Sequence, residues 1–166
     1  METNTNCVKG LDFEKDIEKR LKSNNIPFLS QVDFKGVSSR CDIIVCTKSG
    51  RLINLSIKKS LRERYKLSAF EQYGLRILYG NKCRTIIVTP ESKESTNLKK
   101  KITERKDLSK TLYGVVYPEN LIHLLNKMNI VQPDINDKRI VKYHKKRSNF
   151  LAAKKRKRPA WLNWLK

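Results

Sequence analysis

Apolar positions along the 166-residue chain fall into runs whose spacing switches repeatedly between helical and extended periods. Phe13, Ile17 and Leu21 recur every fourth residue among charges, which predicts a helix over residues 11–23, stopped by Asn24 and Asn25 ahead of Pro27. An alternating run at 28–32 predicts a strand, and Cys41–Thr47, apolar at nearly every position, predicts one covered on both faces. Lys48, Ser49, Gly50 and Arg51 supply a turn into a strand at 52–58, so these two strands form a hairpin. A helical period then runs through Leu61, Tyr65, Ser68, Gln72, Leu75 and Tyr79, with Ser60 as cap and Glu63 closing a capping box, until Gly80 and Asn81 end it. Beyond it come an apolar strand at Cys83–Val88, a charged helix at 92–104, a strand at 112–117 and a helix opened by Pro118 that runs to about Met128.

The predicted order is α-β-β-β-α-β-α-β-α. A meander followed by strand-helix-strand crossovers, which require parallel neighbours, implies an α/β fold with a mixed β-sheet flanked by helices on both faces. The length suits one domain, expected over 1–133. Past Pro133 the pattern fades into a basic tail, 134–166, with partial helix expected at 149–157 and an apolar knob of Trp161, Leu162, Trp164 and Leu165 at its end.

Charge narrows the partners. Lys and Arg number 37 against 16 Asp and Glu, a formal +21 that repels itself in a compact state unless a polyanion neutralises it. Every charged residue in 138–166 is basic, so the excess is both general and concentrated in the tail. Nucleic acid is the partner this implies. Cys7, Cys41, Cys46 and Cys83 form no CxxC pair and are remote in sequence from His123 and His144, which argues against zinc. The last three are expected to be buried thiols of a reducing compartment. With no apolar run of about 18 residues and no signal-peptide core at the amino terminus, a soluble intracellular protein without a membrane segment is expected. His123, on an apolar helix, reads as structural.

Asp42 opens an otherwise apolar strand, where an ionised carboxylate is costly unless a cation compensates it. The bland alternative is a strand-end residue capping a turn after Arg40. An even hairpin register would bring Asp42, Ser56 and Lys58 to one face. Phosphodiester hydrolysis requires a divalent ion on the phosphoryl oxygens and a group that orients the attacking water. Asp42 would be the central ligand of Mg²⁺, the backbone carbonyl of Ile57 a second, and Lys58 would hold the water and stabilise developing charge.

The run Cys41-Asp42-Ile43-Ile44-Val45, followed across the hairpin by Leu55-Ser56-Ile57-Lys58, resembles the signature of the PD-(D/E)XK nuclease superfamily, and the order of elements matches that family's core. Two departures are plain: Ser56 replaces the acid expected two residues before the lysine, and Cys41 replaces the proline. In members of the restriction-endonuclease branch with serine there, the missing carboxylate comes from the following helix, a place held here by Glu71. The segment 58–66 is also similar to the stretch that begins at the catalytic lysine in that branch. Glu63 competes for the same role. The resemblance further implies a metal-facing glutamate on the first helix, which selects Glu14, on or beside the inward face set by Ile17 and Leu21. Gln72 is a candidate for orienting a water.

Arg62, Arg64 and Lys66 are expected to contact phosphates at the mouth of the cleft. In the tail, Lys145, Lys146, Arg147, Lys154, Lys155, Arg156, Lys157 and Arg158 suit either phosphate neutralisation or, from 154 onward, a nuclear-import address. The resulting expectation is a Mg²⁺-dependent endonuclease cutting double-stranded DNA, restriction-like or homing-like, as a homodimer or higher homo-oligomer. The alternatives are a structure-specific nuclease acting on branched DNA and a non-catalytic nucleic-acid-binding protein.

Overall fold

In the computed structural model, residues 3–61 and 65–151 are described, with side chains from Gly10 onward. Helix α1 (Thr3–Ser23) starts earlier than its apolar spacing suggests and ends where expected, at Asn24. Strands β1 (Leu29–Phe34), β2 (Cys41–Thr47) and β3 (Leu52–Ile57) follow as an antiparallel meander. Gly50, at φ 76°, supplies the left-handed residue that turns β2 into β3. Helix α2 (Tyr65–Tyr79) and a single 3-10 turn lead to β4 (Cys83–Val88), which lies parallel to β3. Helices α3 (Lys93–Glu104) and α4 (Lys106–Thr111) cross to β5 (Gly114–Val116), parallel to β4, and α5 (Pro118–Lys127) comes next. Two short strands, β6 (Ile130–Val131) and β7 (Ile140–Lys142), complete a seven-stranded sheet of order β5-β4-β3-β2-β1-β7, with β6 paired to β2.

The protein is therefore α/β with a mixed sheet between helices, as the sequence pattern implies. One core packs Ile17 and Leu21 of α1 and Leu121 and Leu125 of α5 on Ile43, Val45, Ile53, Leu55 and Ile86. The opposite face divides between Leu75 of α2, on Ile44, Leu52 and Cys83, and Leu98 and Ile102 of α3, on Ile87 and Val115. Alternation along β3 sends Ile53, Leu55 and Ile57 to the first core and leaves Asn54, Ser56 and Lys58 for the α2 side.

Several boundaries differ from expectation for identifiable reasons. Ser60 and Leu61 are irregular rather than helical, and Glu63, the other half of the capping box read at Ser60, lies outside the described residues. A reciprocal cap is present at α3, between Ser92 and Ser95. Leu112 belongs to the end of α4, where its N–H donates to the Leu108 carbonyl, and this shortens the strand expected at 112–117. The chain does not leave the domain at residue 133. β7 pairs with β1, Asn149 bridges Phe28 instead of starting a helix, and Ser148 accepts the Ser30 N–H at 2.9 Å. The knob at Trp161 to Leu165 and the remainder of the expected helix lie outside the described residues. Among the described residues no helix is long and apolar enough to cross a membrane.

Candidate active site

β3 brings three polar side chains to one face by its two-residue period, and each meets a group of the site. Asn54 donates its amide to Glu71 Oε2 at 3.0 Å, Ser56 shares a 2.9 Å bond with Ser68, and Lys58 Nζ lies 3.0 Å from Asp42 Oδ2 and 3.7 Å from Glu71 Oε1. Asp42 Oδ2 also accepts the Ile57 N–H at 2.7 Å. The Ile57 N–H thus anchors the Asp42 carboxylate, and the Ile57 carbonyl, expected as a metal ligand, takes no part in this contact. The side chains of Asp42, Lys58 and Glu71 are 17%, 12% and 5% exposed, so the cluster sits at the edge of the core with Asp42 nearest solvent.

α2 owes its place partly to a glycine. A Cβ at Gly74 would come 2.9 Å from Val37 Cγ1, so the helix approaches the β1–β2 connection closely only because that position carries no side chain. Ser68, Glu71, Gln72 and Leu75 then form its buried side. Gln72 donates its amide to the carbonyl and sulfur of Cys83, while its buried Oε1 has no partner among the described residues.

Electrostatics ties the group together. Burial, reinforced by the charge of Asp42, holds the Glu71 carboxyl above the usual carboxylate range against the pull of Lys58 and the bonds from Asn54 and Ser56. Burial alone would lower Lys58, but Asp42 and Glu71 outweigh it and keep the ammonium above its ordinary range. Glu14 is also raised, chiefly by burial, with Arg147 opposing and the Asp42 charge adding. Glu14 therefore shares a field with Asp42 while its own bonds run elsewhere.

Those bonds form a second network. Glu14 accepts from Gln31 Nε2 at 2.8 Å and from Arg147 Nη2 at 2.7 Å. Arg147 also holds both oxygens of Glu18 through Nε, at 3.0 Å each, and Ser30 donates its hydroxyl to Glu18. The pairs Ser30↔Ile43 and Val32↔Cys41 place Gln31 across from Asp42. Gln31 has φ 54°, a left-handed conformation that a glutamine adopts at a cost, and its side chain turns toward α1.

Of the residues expected to bind phosphate, Arg147 points into the fold, whereas Lys145, Lys146 and Lys66 are exposed. Arg62, Arg64, Lys154, Lys155, Arg156, Lys157 and Arg158 lie outside the described residues. His123 is exposed on α5 rather than packed in the core, while Cys41 and Cys83 are buried free thiols. A cavity of about 420 Å³ opens at the other end of β2, near Tyr79, Asp137 and Arg139; none of Asp42, Lys58, Glu71 or Glu14 lines it.

Among the described residues no three His, Cys, Asp or Glu side chains are grouped to hold a metal ion by themselves. Two carboxylates with a lysine between them remain. That donor set does not suit a closed zinc site, but it fits Mg²⁺, which takes one or two carboxylates and completes its shell with water and substrate phosphate. Neither a protein-family model nor a curated protein sequence matches the chain.

Proposed function

We propose that the chain is a Mg²⁺-dependent endonuclease of the PD-(D/E)XK type, in the restriction-like branch, hydrolysing phosphodiester bonds in double-stranded DNA. The observation that carries this reading is the convergence of Asp42 and Glu71, from different elements, on one ammonium: Lys58 Nζ is 3.0 Å from the first and 3.7 Å from the second. Buried ion pairs of this kind stabilise a fold poorly, and clusters that perturb one another's titration concentrate at functional sites. Glu71 meets Asn54 and Lys58 on the β3 face, on either side of Ser56, the position where the motif acid would otherwise stand. The charge of +21 supplies the affinity for a polyanion.

Asp42 and Glu71 would hold the divalent ion, which when bound polarises the phosphoryl oxygen and lowers the pKa of a coordinated water. The chain's own groups do the rest. The Ile57 N–H fixes the Asp42 carboxylate, leaving its other oxygen outside these bonds. Asn54 fixes Glu71. Lys58 donates to the attacking water or to the charge that develops on phosphate. Glu14 stands behind the cluster, bound to Gln31 and Arg147, and acts through the field rather than as a ligand.

The test is cleavage of plasmid DNA by purified protein with Mg²⁺ and with EDTA, comparing the parent with Lys58→Ala and Asp42→Asn. The expected result is cleavage only with Mg²⁺, and a loss of about 10²- to 10³-fold in both variants with duplex binding retained. If Lys58→Ala cuts as fast as the parent, the site is misassigned. Tight binding with no cleavage under any divalent ion would leave a non-catalytic nucleic-acid-binding protein. Cleavage confined to branched DNA would indicate a structure-specific nuclease.

A further inference from the structure

The outer face of α2 carries a run of exposed apolar side chains, where the other exposed apolar residues among those described stand apart from one another in sequence. Leu67, Phe70, Tyr73 and Ile77 succeed one another at helical spacing and are 56%, 72%, 66% and 72% exposed. Between Leu67 and Leu75 the only charged residue is Glu71, which is buried, in a chain where 32% of residues are charged. Together the four side chains expose on the order of 500 Å², a patch of the size that marks interaction surfaces.

We propose that this face docks a second copy of the chain, with the two α2 helices packed across a two-fold axis. The inference deepens the nuclease reading by naming the surface through which one site per strand would be assembled. Lys66 and Arg76 are exposed beside the stripe, but its four side chains are themselves apolar and take an apolar complement. An isologous contact supplies that complement from the chain itself. Two stripes bury on the order of 1,000 Å², where specific interfaces begin, and the flanks add to it. Phenylalanine and tyrosine are the side chains that interface cores favour. The net charge opposes pairing at low ionic strength, and salt or a bound polyanion removes that opposition. Phe70 adjoins Glu71 in sequence, so pairing steadies the helix that carries the second carboxylate of the cluster.

Sedimentation velocity of the full chain in about 0.5 M salt, where repulsion is screened within a few ångströms, reads this directly. The expected result is a dimer at tens of micromolar. A Phe70→Asn, Ile77→Asn double variant should dissociate at least ten-fold more readily, with unchanged circular dichroism and melting temperature. In addition, Tyr73→Cys should cross-link to its counterpart under mild oxidation where the parent does not. A monomeric parent, or a double variant that pairs as well as the parent, overturns the proposal. So does pairing that appears only in full chains carrying Trp161→Ser and Trp164→Ser, which would mean that the chain's own carboxyl-terminal segment covers the stripe. A monomer that cuts DNA sinks the interface alone, whereas a dimer that never cuts upholds the interface and sinks the nuclease reading.

Discussion

Asn54 donates its side-chain amide to Glu71 Oε2 at 3.0 Å from a position with no solvent exposure. The same nitrogen reaches Thr85 Oγ1 at 3.2 Å, while Asn54 Oδ1 finds no partner among the described residues. A buried amide left half satisfied costs on the order of 1 kcal/mol or more, so stability alone does not account for it. Its bond favours the charged form of Glu71 and opposes the effect of burial. Removing it moves Glu71 further up. Asn54→Ala should therefore shift the acidic limb of the cleavage pH profile toward higher pH, with duplex affinity unchanged. An unshifted limb would mean that Asn54 only fills space.

Glu71 itself should trade stability for activity. Its carboxyl titrates higher in the folded chain than in the unfolded one, because burial disfavours the anion. Its favourable contribution is therefore complete below the unfolded pKa and is lost as pH rises through the folded pKa. At about pH 7.5 the folded protein bears the cost of a buried anion, whereas near pH 4 it does not. Glu71→Gln should melt a few degrees above the parent at the higher pH, lose that advantage toward pH 4, and fail to cut DNA. A Gln variant that melts below the parent at every pH would make the carboxylate structural.

Arg147 and its two neighbours in sequence should separate cleanly. Arg147 closes on Glu14 and Glu18, whose side chains are 11% and 5% exposed, while Lys145 and Lys146 face solvent. Arg147→Ala leaves two buried carboxylates unpaired and should cost about 3 kcal/mol in urea unfolding. The double variant Lys145→Ala, Lys146→Ala should melt like the parent but lower the salt slope of duplex binding by up to about 2. If Arg147→Ala weakens binding without destabilising the fold, the ion-pair network contributes little.

The contrast at Arg147 shows what a sequence pattern can carry. The hairpin, its register and the Asp42–Lys58 pairing follow from local periods and a short turn, so they were legible. Glu71 was legible only through a resemblance, because a helix period says which face is buried and not what it meets. Asn54 had a readable signal, a polar residue two positions before Ser56 on the face that ends in Lys58. Nothing local distinguishes Arg147 from Lys145 or Lys146, since the carboxylates it binds lie on α1 at the other end of the chain. β7 escaped for a similar reason: Val141 is 68% exposed, and the strand exists only by pairing with β1. Helix α4 carries one half-buried leucine, Leu108, too little for a period to appear.

Gln31 holds the least expected backbone in the site. At φ 54° it stands across the ladder from Asp42, and the turn of its side chain toward α1 delivers an amide to Glu14 at 2.8 Å. A left-handed glutamine costs on the order of 1 kcal/mol, which glycine would not incur. Gln31→Gly removes that strain and the Glu14 bond together, so its stability should stay within about 1 kcal/mol of the parent. Gln31→Val cannot enter this region without clashing and should lose about 2 kcal/mol or more in urea unfolding. Cleavage separates the two roles. If the left-handed backbone shapes the strand opposite Asp42, the glycine variant keeps its maximal rate, and only the pH dependence moves as Glu14 loses its amide donor. A valine variant as stable as the parent would mean that the chain is not held in this conformation, and the role given to Gln31 would fail.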